Sequence, residues 1–230
     1  MLQLAVFDIA GTTVKDEDFV SRSVHNAFER KGIQLDNVAL GPLMGYHKPL
    51  AVRMILEQVR IAPDESLINE IHDDFVREML AFYENSPEVQ PLPGAEEIFR
   101  YLKQRGVPIA LNTGFSRNIA AVIVERFDWV KRGLIDAYIG SDEVENGRPH
   151  PDMINELRRR LDVPGDAVIM KVGDTIVDVQ EGKAAGCKFN VAVTTGASTI
   201  AELEKQQPTH IINFLLEIPA ILQASLQAYA

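Results

Sequence analysis

The first apolar run of the chain, residues 4–7 (Leu-Ala-Val-Phe), has no polar residue within it. An uninterrupted run of this length, bounded by a turn, is typical of a short strand buried on both faces of a parallel sheet. Asp8 follows directly, and residues 11–13 (Gly-Thr-Thr) form a turn that offers hydroxyls and backbone N–H groups. Asp8 is therefore either a turn or helix-capping residue, or a nucleophile or metal ligand at the carboxyl end of a strand.

Helical patterning follows this turn for about seventy residues. Apolar residues recur at helical spacing over residues 21–32, 48–59 and 63–82, with no strand pattern between them. Residues 86–94 (Ser-Pro-Glu-Val-Gln-Pro-Leu-Pro-Gly) form a proline-rich linker. The three helices are therefore expected to form a separate all-α unit of residues 15–91.

Helix and strand patterns alternate from residue 95 onward. Helices are predicted over residues 96–105, 118–127, 153–161, 177–185 and 200–206, and strands over 107–111, 137–140, 167–172, 189–193 and 210–212. This alternation predicts an α/β fold, a Rossmann-like parallel sheet with helices on both faces. The core comprises residues 1–14 and 92–230, and residues 15–91 form a helical cap inserted after the first strand. A cap on two linkers can open and close over a site at the strand ends.

Composition and charge narrow the classes of function. The 230 residues are 46% hydrophobic and 24% charged, which is ordinary for a globular enzyme. The net charge of −10 argues against binding to nucleic acid, because the protein would repel phosphate backbones. No apolar run is long enough to span a membrane, and the chain shows no leader pattern. The single cysteine, Cys187, excludes an internal disulfide, so a cytoplasmic location is expected.

Polar residues stand after other predicted strands as well. Thr113, Arg148 and Asp174 follow three of them, and Asp178 comes one helical turn after Asp174. Each has an ordinary structural explanation as a helix cap, a turn residue or a solvated charge. The carboxyl ends of parallel strands share one edge of a sheet, where open α/β folds place their sites. The joint occurrence of these residues with Asp8 therefore favours a functional site.

These motifs, in this order, resemble those of the haloacid dehalogenase superfamily of hydrolases and phosphotransferases. The resemblance implies that Asp8 is the nucleophile that forms an aspartyl-phosphate, that Thr113 hydrogen-bonds the phosphoryl group, and that Arg148 balances its charge. A carboxylate attacks a phosphoryl group only when their charge repulsion is cancelled. The residues expected to bind the phosphoryl group or the rest of the substrate are Gly11, Thr12, Thr113, Gly114, Arg148, Met44 and His47.

The same resemblance implies a Mg²⁺ cofactor. Its ligands would be the carboxylates of Asp8 and Asp174 and the carbonyl oxygen of Ala10, with Asp178 supporting the metal from close by. Oxygen ligands of this kind suit a hard divalent cation.

Position 10 departs from the pattern of most phosphatases in the superfamily, which have a general-acid Asp there. The chain has Ala10 instead, so the proton donor for an ester leaving group is missing. The Asp-x-Ala-Gly-Thr-Thr pattern at 8–13 and the Gly-Arg-Pro-x-Pro run at 147–151 resemble the phosphonoacetaldehyde hydrolase family within that superfamily. So does a cap lysine preceded by Met-Gly and two further residues, here Met44 and Lys48.

Lys48 has two interpretations. A lysine on a predicted cap helix is ordinarily a solvent-facing charge. The resemblance instead implies that Lys48 condenses with an aldehyde to give a protonated imine, which accepts the electrons of a breaking carbon–phosphorus bond. The family also has a histidine three residues after this lysine, where the chain has Ala51. His47 lies on the other side, where it is either the substitute for that histidine or an exposed helix residue.

These motifs leave three candidate functions. The first is cleavage of phosphonoacetaldehyde or a related 2-oxoalkylphosphonate. The second is hydrolysis or transfer of a small phosphate ester by an ordinary Mg²⁺-dependent enzyme, against which Ala10 argues. The third is an idle relative that only binds a metabolite or protein, against which the retained polar residues argue. The resemblance also implies a homodimer formed through the cap.

Overall fold

β1 occupies the centre of a six-stranded sheet in the computed structural model, which describes residues 1–35 and 38–227. The strands are β1 (Leu4–Phe7), β2 (Ile109–Thr113), β3 (Ala137–Gly140), β4 (Ile169–Gly173), β5 (Phe189–Val193) and β6 (His210–Ile212). All neighbouring strands are parallel, in the order β3-β2-β1-β4-β5-β6. The chain adds strands first on one side of β1 and then on the other, which leaves a crevice at the carboxyl end of β1. The predicted Rossmann-like sheet is thereby confirmed.

Helices cover both faces of this sheet. They are α1 (Phe19–Glu29), α2 (Lys48–Gln58), α3 (Glu65–Asn85), α4 (Ala95–Lys103), α5 (Arg117–Arg126), α6 (Asp152–Arg160), α7 (Ile176–Ala184), α8 (Ile200–Lys205) and α9 (Ile218–Gln227). Successive side chains of β1 point to opposite faces. Phe7 packs edge-on against Phe99 of α4, with ring centroids 5.4 Å apart, whereas Leu4 and Val6 pack in a second cluster with α6.

The insert, residues 15–91, contains α1, α2 and α3, and both α1 and α2 pack against α3. α3 also packs against α5 of the sheet domain, and Arg126 strengthens that contact. Its guanidinium donates hydrogen bonds to three carbonyl oxygens around the end of α3, those of Tyr83, Glu84 and Ser86, at 2.6–2.9 Å. A cation at a helix C-terminus satisfies carbonyls that have no partner within the helix.

The two linkers of the insert lie side by side. Lys15 N–H donates to the Gln90 carbonyl at 3.0 Å, and Leu92 N–H donates to the Thr13 carbonyl at 2.8 Å. The insert is thus joined to the rest of the chain (residues 1–14 and 92–230, here the core) through one paired connection. Residues 36, 37 and 228–230 of these two units lie outside the described residues.

α9 is an element that the sequence patterns did not predict. Residues 218–230 contain no charged residue, so the contrast between apolar and polar faces that marks a surface helix is weak there. Ile218 and Ile221 of α9 are buried in the main core cluster. Within the described residues, no helix is both long and apolar enough to cross a bilayer.

Candidate active site

The residues predicted after the strands meet at one edge of the sheet. Asp8 is fixed directly after β1, because its N–H donates to the Val172 carbonyl of β4 at 2.9 Å and its own carbonyl accepts the Thr13 hydroxyl at 2.8 Å. A cavity of about 30 Å³ lies between this edge and the insert. Among the residues that line it are Asp8, Ala10, Thr113, Gly114, Arg148 and Asp174 of the core, and Met44 and Lys48 of the insert.

Arg148 lies at the centre of this edge and is 1% exposed. Its Nη1 is 2.7 Å from Asp8 Oδ1 and 3.0 Å from Asp178 Oδ1, and its Nε is 3.0 Å from Glu181 Oε2. Its Nη2 donates to both the carbonyl and the side-chain oxygens of Asn112, each at 2.7 Å. Burial disfavours the charged guanidinium, but the carboxylates of Asp178 and Asp8 outweigh burial and raise the pKa of Arg148. Arg148 therefore stays protonated.

A second buried cation, Lys171 of β4, shares the partners of Arg148. Its Nζ lies 2.9 Å from Asp178 Oδ1 and 3.3 Å from Glu181 Oε2, and it donates to Asn112 Oδ1 at 2.6 Å. Burial alone would raise the pKa of Asp178, but Arg148 and Lys171 together lower it. Buried carboxylates are stable only when they are paired in this way.

Asp178 is positioned by the start of α7. Thr175 caps this helix: its N–H donates to Asp178 Oδ2 at 3.1 Å, and the two side chains are also hydrogen-bonded to each other. This reciprocal capping box fixes the first turn of the helix directly after Asp174. The spacing Asp-Thr-x-x-Asp therefore brings both carboxylates to the sheet edge.

Three carboxylates at this edge can hold a metal ion. One oxygen each from Asp8, Asp174 and Asp178 lie within 4.8 Å of one another, and all three residues are buried. Burial and neighbouring carboxylates raise the pKa of Asp8 to about 6 and that of Asp174 well above its usual range. The negative charge is thus not fully compensated by protein cations. The donor set is all oxygen, which fits Mg²⁺.

Asp174 is held in place on several sides. Its Oδ1 accepts the Thr12 hydroxyl at 2.8 Å and its Oδ2 accepts the Ala197 N–H at 2.8 Å. Gly11 has a φ of +82°, and a Cβ on it would lie 2.8 Å from Asp174 Oδ2. A glycine is therefore required at this turn, both for its backbone conformation and for the close approach of the carboxylate.

Lys48 is buried in the same cavity and is only 2% exposed. Its Nζ donates to the carbonyl oxygens of Met44 at 2.5 Å and Tyr46 at 3.4 Å, and lies 5.4 Å from the centre of the Phe115 ring. Burial lowers its pKa to about 8, although Asp8 nearby acts in the opposite direction. Lys48 is therefore not a solvent-facing charge.

The insert and the core touch through backbone at this point. Gly114 follows β2, and a Cβ there would lie 2.5 Å from the Tyr46 carbonyl oxygen and 2.7 Å from that of Gly45. Gly45 is equally restricted, because a Cβ on it would overlap Thr175 and Val177 of the core. The cavity of about 30 Å³ has room for only one or two water molecules in this arrangement.

Comparison with known proteins identifies the family. A family model of haloacid dehalogenase-like hydrolases matches residues 2–186. The chain is a haloacid dehalogenase-like hydrolase. It is 29% identical over 217 residues to a phosphonoacetaldehyde hydrolase of Bacillus cereus, covering 89% of this chain and 80% of the relative. It is 30% identical over 216 residues to one of Bacillus cytotoxicus, with the same coverage.

Solved structures agree with the fold of this hydrolase. A phosphonoacetaldehyde hydrolase-like protein from Oleispira antarctica superposes with a TM-score of 0.83 at 21% identity, over 97% of this chain and 92% of the other. A predicted phosphatase from Clostridium acetobutylicum gives a TM-score of 0.77 at 21% identity, over 97% and 100%. The α/β fold expected from the sequence is thus shared with both.

Three of the residues expected to bind substrate do not line this cavity. His47 is the residue before α2, its side chain makes no capping hydrogen bond, and its Cβ lies near Gly147 outside the cavity lining. Burial lowers the pKa of His47. Gly11 leaves room for the Asp174 carboxylate, and the Thr12 hydroxyl donates a hydrogen bond to it. Neither residue lines the cavity. Met44 and Gly114 do line the cavity, as does Thr113, whose Oγ1 accepts the Phe115 N–H at 3.2 Å.

The sequence patterns did not single out several residues that complete the site. Asn112 and Glu181 hold Arg148, but they come from β2 and α7, so only the tertiary fold shows their pairing. Asp16 lines the cavity as well. It lies in a charged run, residues 15–18 (Lys-Asp-Glu-Asp), which looks like an ordinary exposed linker.

Proposed function

We propose that this hydrolase cleaves the carbon–phosphorus bond of phosphonoacetaldehyde or a related 2-oxoalkylphosphonate. The observation that carries the proposal is the burial of Lys48 in one cavity with Asp8, with its pKa lowered to about 8. A buried amine of this kind is suited to imine formation. Ala10 and the similarity to phosphonoacetaldehyde hydrolases support the same reaction.

The proposal includes two domains with separate tasks. Residues 1–14 and 92–230 form the catalytic core, and residues 15–91 form a cap that carries Lys48. The paired linkers at Thr13–Lys15 and Gln90–Leu92 act as the hinge. Since the cavity in the closed arrangement is only about 30 Å³, substrate binds to the open form and cap closure brings Lys48 to its carbonyl group.

The first chemical step takes place at Lys48. Its neutral amine attacks the aldehyde carbon, and loss of water with uptake of one proton leaves a protonated imine two atoms from phosphorus. The ring centres of Phe115 and Phe75 lie 5.4 and 6.0 Å from Nζ. Their faces favour the ammonium, so the lowered pKa of Lys48 comes from burial. An apolar environment favours the neutral amine that the reaction needs.

The second step takes place at Asp8. Its carboxylate attacks phosphorus, the carbon–phosphorus bond breaks, and the bonding electrons move into the imine to give an enamine. Arg148 and the Thr113 hydroxyl stabilise the charge on the phosphoryl oxygens. Mg²⁺ held by Asp8, Asp174 and the Ala10 carbonyl, with Asp178 beside it, would offset the repulsion between carboxylate and phosphoryl group.

The last step returns the enzyme to its starting state. The enamine takes up a proton on carbon, and water releases the aldehyde from Lys48. A second water hydrolyses the aspartyl-phosphate and releases inorganic phosphate from Asp8. The imine accepts the electrons of the leaving carbon, so no general acid at position 10 is needed.

Hydrolysis of a small phosphate ester by a Mg²⁺-dependent mechanism is the second candidate. The structural similarity to a predicted phosphatase and the same carboxylate cluster support it. It would use Asp8 in the same role, but it gives no role to buried Lys48 and leaves the ester oxygen without a proton donor at Ala10.

Product analysis with the purified protein and Mg²⁺ distinguishes these candidates. We expect phosphonoacetaldehyde to give equal amounts of phosphate and acetaldehyde. Lys48→Arg should lose this reaction, because a guanidinium does not form the imine, and Asp8→Asn should lose it as well. Phosphate release from simple esters that persists in Lys48→Arg, without cleavage of the phosphonate by wild type, would favour the phosphatase instead.

A further inference from the structure

Asp16 is a carboxylate in the cavity that the proposed mechanism does not yet use. It lies in the first linker between the β1 turn and α1, is half-buried, and lines the same cavity as Lys48. Its Oδ1 accepts the backbone N–H groups of Phe19 at 2.9 Å and Val20 at 3.3 Å. In the part of the chain that the structure describes, no donor contacts Oδ2. Asp16 is thus anchored by one oxygen and can exchange a proton through the other.

The other carboxylates of the cavity are already engaged. Asp8 is paired with Arg148 at 2.7 Å and is the proposed nucleophile. Asp174 accepts hydrogen bonds from Thr12 and Ala197 and belongs to the candidate metal cluster. Asp16 belongs neither to the ion pair with Arg148 nor to the candidate metal cluster. It is therefore the acidic group of the cavity lining that is left to exchange protons with an amine.

The surroundings of Asp16 bring its proton affinity closer to that of Lys48. Burial raises the pKa of Asp16, and the backbone N–H groups of Val20 and Phe19 that it accepts offset only part of that rise. Asp18 in the same linker raises the pKa further, and Lys48 on α2 lowers it. Burial raises the pKa of the Tyr83 phenol on α3, and the negative charge of Asp16 raises it further. Burial meanwhile lowers the pKa of Lys48 to about 8. A smaller difference between the pKa values of Asp16 and Lys48 lowers the free-energy cost of moving a proton from one group to the other.

We propose that Asp16 is the catalytic acid–base group that moves protons between the Lys48 nitrogen and the carbonyl oxygen of the substrate. This assignment rests on the proposed imine chemistry. It makes the linker of the cap part of the reaction and not only a hinge.

The proton balance of imine formation defines the task of this group. Protonated Lys48 carries three hydrogens on nitrogen, and the protonated imine carries one. The Asp16 carboxylate takes one proton from the ammonium, and the amine then forms the carbon–nitrogen bond. Asp16 returns that proton to the former carbonyl oxygen, takes the next from nitrogen, and gives it to the departing hydroxyl. The two hydrogens thus leave with oxygen as water, and Asp16 ends as a carboxylate.

Asp16→Asn tests the role without removing the anchor. The Asn side-chain oxygen accepts the same N–H groups of Phe19 and Val20, so the start of α1 should be preserved. We expect the rate of the borohydride-trapped adduct on Lys48 with phosphonoacetaldehyde to fall by about 10²- to 10⁴-fold, as for loss of a general acid–base group. Glu17→Gln is the matched control, because Glu17 is exposed, pairs with Lys15, and should form the adduct at the wild-type rate.

Chemical rescue separates proton transfer from a structural role. Asp16→Ala creates space beside Lys48, and added acetate should restore part of the trapping rate there but not in Asp16→Asn. A variant that was merely misfolded would show a lower melting temperature and no rescue. Wild-type trapping rates in both Asp16 variants would overturn the assignment of Asp16 and leave the imine intact. Absence of any adduct on the wild-type protein would overturn the imine chemistry and the role of Asp16 with it.

Discussion

Arg148 Nη1 lies 2.7 Å from Asp8 Oδ1, although 140 positions separate the two residues in the chain. The same guanidinium reaches Asp178, Glu181 and Asn112, so four partners fix its plane. Only a planar group with several fixed donors can satisfy all of them at once. The arginine at this position is therefore a structural requirement as well as a source of positive charge.

Arg148→Lys should test that requirement. The ammonium keeps the charge but cannot contact Asp8 and Glu181 together, so we expect phosphate release to fall by about 10²-fold or more. Lost hydrogen bonds to charged groups should lower the free energy of unfolding by about 2 kcal/mol, measured by urea denaturation. Arg148→Ala leaves buried carboxylates unpaired and should cost about 3–5 kcal/mol. Equal stability of the wild type, Arg148→Lys and Arg148→Ala would contradict the structural requirement for an arginine at position 148.

The pH dependence of imine formation should follow the Lys48 amine. Its folded pKa is lowered to about 8, so the reactive neutral form increases as pH rises through that value. At pH 7 about one tenth of the lysine is neutral, and at pH 9 about nine tenths. The rate of borohydride-trapped adduct, measured by rapid quench, should therefore rise about tenfold over this range and then level off. A rate that rises about a hundredfold between pH 7 and pH 9 without levelling off would be that of a lysine with its ordinary pKa, and it would contradict the lowered pKa.

Metal binding should be visible in thermal stability. Mg²⁺ at ten times its dissociation constant should stabilise the folded protein by about 1.4 kcal/mol. For a chain of this length, that raises the melting temperature by about 3–6 °C. Asp174→Asn removes one carboxylate of the candidate cluster and should abolish the shift. An identical Mg²⁺ shift in the variant would place the metal somewhere else.

Gly114→Ala should interfere with closure of the insert. The new Cβ would lie 2.5 Å from the Tyr46 carbonyl oxygen, so the insert must move away from the sheet edge. We expect a folded protein with a cavity that stays open to solvent and with phosphonate cleavage reduced at least tenfold. Gly165→Ala is the control, because a Cβ there meets only the end of the Arg158 side chain at 3.6 Å. Wild-type activity of Gly114→Ala would show that the contact is dispensable.

The sequence predicted the core of this fold well because its strands are short apolar runs that end in distinctive polar residues. The predicted strands at 137–140, 189–193 and 210–212 have the observed bounds. Parallel pairing of the strands then brings Asp8, Asp174 and Arg148 to one edge without further information. Lys48 could be placed in the site only through its resemblance to a family.

Other features depend on contacts between distant parts of the chain. Asn112 and Glu181 are ordinary polar residues until the fold places both beside Arg148. Asp16 gains its significance from the position of the insert over the sheet edge, which no local pattern encodes. α9 has only a weak amphipathic pattern, and its burial depends on the main core cluster that Ile218 and Ile221 join.

Trapping the imine tests the central claim most directly. The intact protein is incubated with phosphonoacetaldehyde and sodium borohydride, and its mass is measured beside that of Lys48→Arg. We predict a reduced two-carbon adduct on the wild-type protein, located at Lys48 by peptide mapping, and none on the variant. The same adduct on both proteins, or none on either while simple esters are hydrolysed, would contradict cleavage of a carbon–phosphorus bond through Lys48.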